Sequence, residues 1–207
     1  MIGKILVFGD SIGQGYYDEK DGGWVRLLQR DFFNEYYAGK REVHIINLSV
    51  SGHTSQEVVE RIEQETKARC KDEKILTVIA IGINDSFQRE GARRTSMTDF
   101  THNIKRIIEI AKSFGDVVVC GLTSCVDDRV GPTGWDAGLV YTNAWIKEYD
   151  AVIKREAEDA GVLFVPLWQA TYDAQMAIET MPDGIHPNAA GHEVIYNKMK
   201  KIMEKML

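Results

Sequence analysis

The sequence has few cysteines and no spacing that would hold zinc. Its 207 residues include only Cys70, Cys120 and Cys125, an odd number without the pairs of a disulfide framework or a Cys-x-x-Cys motif. Cys120 and Cys125 lie on and just after an apolar run, which favours buried structural thiols. The cysteines therefore argue against a disulfide-stabilised scaffold, and we predict no metal ion.

The sequence also lacks an excess of positive charge and any long apolar run. Lys and Arg number 25 against 31 Asp and Glu, which gives a net charge of −6. Nucleic acid is therefore not an expected partner, and the acidic balance argues against stable membrane association. The first apolar run, residues 5–8, is too short for a signal-peptide core, so we predict a cytoplasmic protein, although a secreted chain trimmed of its signal would look the same. The oligomeric state cannot be read from the sequence.

What the sequence does contain is a regular alternation of strand and helix patterns. The predicted strands are residues 4–8, 43–50, 75–81, 117–122 and 162–167. The predicted helices are residues 24–37, 56–69, 98–114, 141–160 and 189–206. Such alternation is typical of parallel strands joined by helical crossovers, with helices on both faces of the sheet. No repeat or shift in composition divides the chain, so residues 1–207 are predicted to form a single domain.

Three segments have no clear period. Residues 87–96 are charged and are predicted to form a loop. Residues 123–138 are long for a connection within a compact domain, and such loops are often functional. Residues 168–181 are ambiguous between a short helix and a loop.

Large aromatic side chains border these segments. They are Trp135, Tyr141 and Trp168. Each could wall a pocket for an acyl group or a sugar, and packing in the core is an equally open alternative. We take Trp135 and Trp168 as the candidate substrate-binding residues.

Residues that could take part in catalysis follow the ends of the predicted strands. Ser11 follows the first strand, Gly52 the second and Asn84 the third. Asp183 and His186 follow the last strand at a greater distance. Because the carboxyl ends of parallel strands meet at one edge of the sheet, where ligands collect, we expect these residues to share one rim.

This set fills each role that acyl transfer requires. Ser11 would be the nucleophile, His186 the general base and then the general acid, and Asp183 the group that orients His186. The backbone N–H groups of Ser11 and Gly52 and the side-chain amide of Asn84 would form the oxyanion hole. Glycine at position 52 lets the backbone approach a ligand closely.

Each residue also has a structural explanation. Ser11 could cap a helix, His186 could be a surface residue, and Asn84 could form an Asx-turn. All of these explanations would have to hold together at one rim, so we favour the catalytic hypothesis. Because Asp183 fills the triad, we expect Asp10 to shape the Ser11 loop through backbone hydrogen bonds.

The same residues resemble the sequence blocks of the SGNH hydrolases, the superfamily of GDSL-type esterases and lipases. Gly9-Asp10-Ser11 resembles the nucleophile block, and Gly52 resembles the oxyanion glycine of the second block. Gly82-Ile83-Asn84-Asp85 resembles the third block, and Asp183 to His186 resembles the last block, Asp-x-x-His. The blocks occur in the expected order over nearly the whole chain. One departure is Gly13-Gln14-Gly15, where small residues or threonine often follow the first block.

The resemblance implies a three-layer α/β/α domain with a flavodoxin-like five-stranded parallel sheet and no cofactor. It implies a serine esterase that cleaves small-molecule carboxylic esters through an acyl-enzyme. The absence of a large apolar lid or an interfacial helix favours a short acyl chain on a small alcohol or carbohydrate. A lysophospholipase or thioesterase activity, an acyltransferase and a non-catalytic binding module on the same scaffold are the alternatives. The acidic chain offers no obvious basic site for an anionic head group, but a single arginine such as Arg129 could hold one.

Overall fold

The computed structural model describes residues 2–70, 74–127, 129–130 and 138–207. Trp135 lies outside these described residues, so its role in a substrate pocket stays a prediction. Residues 128 and 131–137 of the connection predicted over residues 123–138 also lie outside the described residues.

Strands and helices alternate along the chain. The strands are β1 (Ile2–Gly9), β2 (His44–Asn47), β3 (Lys74–Ala80), β4 (Gln88–Arg89), β5 (Ala92–Arg93), β6 (Gly115–Cys120), β7 (Leu139–Val140) and β8 (Leu163–Val165). The helices are α1 (Ser11–Gln14), α2 (Trp24–Tyr37), α3 (Ser55–Arg69), α4 (Met97–Lys112), α5 (Asn143–Asp159), α6 (Trp168–Ala177) and α7 (Ala189–Met206).

Five parallel strands form the central sheet in the spatial order β2-β1-β3-β6-β8. This is the flavodoxin-like order, and it confirms the predicted fold class. The order reverses between β1 and β3, because the chain runs outward from β1 to β2 and then returns to the other side of β1. A crevice opens at such a switch point, outside the carboxyl ends of the two strands. The segments that carry Ser11 and Asn84 leave the sheet at this crevice.

The helices cover both faces of the sheet. Helices α2 and α7 pack together, whereas α3, α4 and α5 form a second row. These five helices pack through stripes of buried apolar side chains. In α4, for example, the buried side chains of Phe100, Ile104 and Ile108 recur at helical spacing. Within the described residues, none of the helices has both the length and the apolar character that a membrane crossing requires.

The prediction of a loop over residues 87–96 is wrong. Strands β4 and β5 form a hairpin, and β7 pairs with β4 to complete a small antiparallel sheet. The hairpin turn consists of Glu90 and Gly91, with φ of 53° and 79°, as a type I′ turn requires. Strands of two residues are too short to produce a period in the sequence, so the only local signal was this turn.

Two other boundaries also differ from the sequence-based expectation. The ambiguous segment after β8 contains helix α6 over Trp168–Ala177. Helix α5 begins at Asn143, because the side chain of Thr142 accepts a hydrogen bond from the Trp145 N–H and caps the helix. Tyr141, which we predicted to be helical, therefore lies before the helix.

Candidate active site

The nucleophile candidate lies directly after β1. Asp10 caps helix α1, and its carboxylate accepts a hydrogen bond of 2.9 Å from the Ile12 N–H. Asp10 thus shapes the Ser11 loop through a backbone hydrogen bond, as expected, and because it caps the helix, the Ser11 hydroxyl is available for other contacts. Burial raises the pKa of Asp10 to about 6, although hydrogen bonding to the Ile12 N–H opposes this shift.

Two glycines let this turn pack against the loop after β2. A Cβ added at Gly9 would lie 2.8 Å from Ser49 Oγ, and one at Gly13 would lie 2.4 Å from the same atom. Both distances are shorter than real contacts of a Cβ allow. Gly13 is part of the departure from the family pattern noted above, and this close packing gives the structural reason for glycine there.

Ser11, His186 and Asp183 form a continuous hydrogen-bonded chain. Ser11 Oγ lies 2.8 Å from His186 Nε2, and His186 Nδ1 lies 2.6 Å from Asp183 Oδ2. The other carboxylate oxygen of Asp183 accepts hydrogen bonds from the backbone N–H groups of Ile185 and His186, at 3.0 and 2.8 Å. The short turn over residues 183–186 therefore fixes the Asp183 carboxylate, and this carboxylate orients the His186 imidazole.

The pKa of Asp183 reflects these contacts. Burial alone would raise it, but the hydrogen bonds from the His186 ring and from the two backbone N–H groups hold the pKa below its ordinary value. Asp183 is therefore ionised at neutral pH. An ionised carboxylate at Nδ1 directs the lone pair of Nε2 toward Ser11.

Asn84 lies at the same rim, with its amide held at both ends. Its Nδ2 donates to the His53 carbonyl at 3.0 Å, and its Oδ1 accepts from the hydroxyl of Tyr141 at 3.2 Å. An amide nitrogen carries two N–H groups, so one remains for a ligand. The Tyr141 contact also fixes the orientation of the amide, because a hydroxyl that donates must face the oxygen.

The remaining oxyanion candidates are backbone N–H groups. Gly52 has a φ of 79°, and a Cβ placed there would meet nothing within 4 Å. Open space therefore lies beside this part of the backbone. Among the described residues, no acceptor receives the N–H of Ser11 or that of Gly52.

A buried polar network joins the loops that carry these donors. The carboxylate of Asp85 accepts from the N–H of Ser55 at 2.9 Å and from its hydroxyl at 2.6 Å. Asn103 donates to the same hydroxyl at 3.0 Å. Burial raises the pKa of Asp85 to about 6, against the opposing effect of these hydrogen bonds. The sequence identified Asp85 only as part of a block, without this role.

The candidate residues line one open cleft of about 770 Å³. Ser11, His186, Asn84 and Gly52 all contribute to its lining. We expected these residues to share one rim, and the structure brings them together with Asp183 directly behind His186.

One wall of the cleft is aromatic. The ring centroid of Tyr17 lies 5.2 Å from that of His186, and the ring of Tyr16 lies 5.9 Å from it. The Tyr16 carbonyl is held by Nε2 of His192, at 3.1 Å. His192 is fully buried, and this contact fastens the Tyr16 loop to helix α7.

The cleft is also lined by residues of the small antiparallel sheet and of the segment that follows its hairpin. They include Arg89, Arg93 and Arg94. The sequence analysis did not identify these residues, although residues 89–94, shortly after the Asn84 block, contain three arginines. Arg129, which we had considered for an anionic group, is not part of the described lining and instead forms an ion pair with Glu179.

Trp168 is not brought to the cleft. Its indole N–H donates to Asn143 Oδ1 at 3.1 Å, and its ring stacks on that of Tyr172 at 4.8 Å. The Lys147 ammonium lies 3.7 Å from the centroid of the same ring. These contacts give Trp168 a packing role at the start of α6, and it is absent from the described cleft lining.

Comparison with known proteins agrees with this geometry. The sequence profile of the GDSL-like lipase/acylhydrolase family matches residues 7–194. Esterase TesA of Pseudomonas aeruginosa is 26% identical over 205 residues, which cover 98% of this chain and 89% of that protein. An arylesterase of Vibrio mimicus is 32% identical over 116 residues, or 56% of this chain and 52% of that one. The crystal structure of a lipase/acylhydrolase from Enterococcus faecalis superposes with a TM-score of 0.78 at 24% identity, covering 100% of this chain and 97% of the other.

Proposed function

The chain belongs to the GDSL-like lipase/acylhydrolase family and is a carboxylic ester hydrolase, and we propose that it works through Ser11, His186 and Asp183 as a catalytic triad. The observation that carries the proposal is the hydrogen-bonded chain from Ser11 Oγ through the His186 ring to the Asp183 carboxylate. A serine that only caps a helix, or a histidine that only lies on the surface, would not require this series of hydrogen bonds.

Acylation begins at the Ser11 hydroxyl. His186 Nε2 accepts the hydroxyl proton as Oγ forms a bond to the carbonyl carbon of the ester. Asp183 stabilises the imidazolium that results. The oxygen of the tetrahedral intermediate receives hydrogen bonds from the N–H groups of Ser11 and Gly52 and from the amide of Asn84. When the intermediate collapses, His186 gives its proton to the leaving alcohol, and the acyl group remains on Ser11.

Deacylation repeats these steps with water. His186 removes a proton from the water molecule as its oxygen bonds to the acyl carbon. The same three donors stabilise the second tetrahedral intermediate. The bond to Ser11 Oγ then breaks, His186 returns the proton to that oxygen, and the carboxylic acid leaves.

The proposed substrates are esters of a short acyl group with a small alcohol or carbohydrate. Support comes from the cleft itself, which is open and of modest volume at about 770 Å³. The exposed rings of Tyr16 and Tyr17 beside His186 offer flat apolar faces against which a ring in the leaving alcohol can pack. Aryl acetates are therefore suitable first substrates for an assay.

The decisive experiment compares Ser11→Ala with Ser51→Ala on p-nitrophenyl acetate. Ser51 lines the same cleft but lies outside the hydrogen-bonded chain, so it is the matched control. We expect Ser11→Ala to lower kcat by at least about 10³-fold, because loss of the nucleophile leaves only the oxyanion hole and binding. A fluorophosphonate probe should label the wild-type protein at Ser11, as mass spectrometry of the peptides would reveal. Equal activity of Ser11→Ala and the wild type, or labelling at another residue, would refute the mechanism.

A further inference from the structure

Two aromatic rings lie against the imidazole of His186. The centroid of the Tyr17 ring lies 5.2 Å from that of the imidazole, with 45° between the two planes, and the Tyr16 ring lies farther away, at 5.9 Å. The two tyrosine rings also contact each other, with centroids 6.1 Å apart. About half of each tyrosine is exposed, whereas the side chain of His186 is only 14% exposed. The imidazole therefore has little contact with water.

The backbone of Tyr17 has a conformation that tyrosine rarely adopts. Its φ is 62°, in the left-handed region, and Glu90 is the other described non-glycine residue with a positive φ. Glu90 owes this conformation to the type I′ turn of the hairpin, whereas Tyr17 lies in the loop between α1 and α2. A left-handed residue other than glycine persists only where the surrounding structure holds it, and such residues concentrate at functional sites. The conformation of Tyr17 therefore points to a role for its ring.

The loop over residues 16–22, here called the aromatic loop, is closed where its two ends meet. A Cβ added at Gly23 would lie 2.4 Å from the Cα of Gly15, so the chain before the loop touches the chain after it. Inside the loop, the Asp18 carboxylate accepts three hydrogen bonds of 2.8 to 2.9 Å from the backbone N–H groups of Lys20, Asp21 and Gly23. These contacts fix the backbone on both sides of Tyr17.

A single buried histidine fastens both ends of the aromatic loop to helix α7. Nε2 of His192 lies 3.1 Å from the Tyr16 carbonyl oxygen, and Nδ1 lies 3.4 Å from the backbone nitrogen of Trp24. The carbonyl requires a donor and the N–H requires an acceptor, so both contacts fit the tautomer with its proton on Nε2. Helix α7 begins three residues after His186. The same helix therefore supports the aromatic loop and the turn that carries His186, which keeps the Tyr17 ring beside the imidazole.

The charge of His186 changes during the proposed reaction. Its ring becomes an imidazolium when it accepts the Ser11 proton in acylation, and again when it accepts a proton from water in deacylation. The π face of an aromatic ring attracts a cation within about 6 Å of its centroid, and the attraction grows as the cation loses contact with water. The Tyr17 ring lies within this distance of the shielded His186 ring. A contact that is stronger in the transition state than in the resting protein raises kcat and leaves KM unchanged.

We propose that the Tyr17 ring stabilises the positive charge that His186 carries during acylation and deacylation. Tyr17 is therefore a positioning residue, because it acts on His186 and not on the ester. The inference rests on the proposed function, since the imidazolium forms only if His186 is the base of the Ser11 site. It accounts for the left-handed backbone that holds the ring at His186 and for the shared attachment of both segments to α7.

The test changes the electron density of the ring and leaves its size nearly unchanged. The series starts from Tyr17→Phe and continues with the 4-fluoro, 3,5-difluoro and 3,4,5-trifluoro derivatives of phenylalanine, introduced by amber suppression. Each fluorine withdraws density from the π face and so weakens its attraction for a cation. We expect kcat to fall in the order of the number of fluorines, by about two- to fivefold over the series, while KM stays constant.

Ethyl acetate is the first substrate for this series. It has no ring that could pack on Tyr17, and the departing ethoxide takes its proton from His186. p-Nitrophenyl acetate is the second substrate, because it passes through the same acetyl-enzyme. Equal kcat throughout the series, or an order unrelated to the number of fluorines, would overturn the proposal. A change confined to KM would also overturn it, because the ring would then contact the ester and not the imidazolium.

The same series at position 37 is the control. Tyr37 is 84% exposed at the end of α2, its ring contacts Tyr36, and it is not part of the described cleft lining. We expect kcat to be equal for all four forms at this position. Thermal unfolding of each form checks that it is folded.

The Ser11→Ala variant separates this inference from the proposed function. If Ser11→Ala abolishes hydrolysis of the acetate esters and the series at position 17 has equal kcat values, the triad stands and the role of Tyr17 fails. If neither ester is hydrolysed in a manner that depends on Ser11, the triad fails and the role of Tyr17 fails with it.

Discussion

The Tyr141→Phe substitution tests whether the orientation of one amide controls the rate. Tyr141 is buried, and its hydroxyl donates to Asn84 Oδ1 at 3.2 Å. That bond orients the amide so that Nδ2 contacts the His53 carbonyl and keeps one N–H for the oxyanion. Phenylalanine keeps the ring and removes only the donor. We therefore expect a lower kcat with little change in KM, because the oxyanion exists only during the reaction.

Two limits define the size of this effect. Loss of a complete oxyanion donor costs roughly 2.7–4 kcal/mol of transition-state stabilisation, and this is the upper limit if the amide turns away. In the variant, however, the bond from Asn84 Nδ2 to the His53 carbonyl remains and still restrains the amide. The loss is then that of one neutral hydrogen bond, about 1 kcal/mol, which corresponds to about a fivefold decrease in kcat.

A double-mutant cycle with Asn84→Ala tests the route of the effect. If Tyr141 acts through Asn84, the fivefold decrease should disappear when Asn84 is absent. Tyr196→Phe is the control, because it removes a hydroxyl that donates to Asp31, a residue that is not part of the described cleft lining. The reasoning is refuted if Tyr141→Phe lowers kcat by the same factor in both backgrounds, or if it raises KM at constant kcat.

Two further substitutions test the acidic groups. Asp183→Asn should lower kcat by about 10⁴-fold, because an amide no longer selects the His186 tautomer with a free lone pair at Nε2; a loss below tenfold on p-nitrophenyl acetate would contradict the triad. Burial raises the pKa of Asp85 from its ordinary value of 3.8 to about 6, so folding favours the protonated carboxyl. The stabilisation from this difference in pKa is full below pH 3.8 and is lost as pH rises through 6. Compared with Asp85→Asn, the wild type should therefore lose about 2 kcal/mol of unfolding free energy between about pH 4 and pH 7, as urea titrations would measure. A difference between the two proteins that does not change with pH would show that burial does not raise this pKa.

Much of the fold and of the rim could be predicted because its signals are local. The central strands are continuous apolar runs, and the capping box of Thr54 and Glu57 marks the start of α3 within four residues. Asn188 likewise caps α7, because its side chain accepts a hydrogen bond from the Gly191 N–H. Once five parallel strands are assigned, the position of Ser11 beside Asn84 follows from the rule that strand ends share an edge.

What could not be predicted depends on contacts between distant parts of the chain. Tyr141 contacts Asn84 across 57 positions, and His192 contacts Tyr16 across 176 positions. No period or motif near any of these residues encodes the pairing, because packing against the rest of the fold determines it. Trp168 is the converse case: its place beside an unpatterned segment suggested a pocket wall, whereas its ring stacks on Tyr172 one turn further along α6.

The oxyanion loops and the hairpin beside the cleft are held by different contacts and are linked at one point. The oxyanion loops are joined by the buried Asp85–Ser55 contact, so a change there alters the position of the donors and hence the rate for every substrate. The hairpin is an addition beyond the central sheet, which it does not join by strand pairing. Arg93 attaches it to Glu148 of helix α5. Arg94, which follows the hairpin, donates to the Gly52 carbonyl at 3.1 Å, so a change in the hairpin can reach the oxyanion loop through this contact.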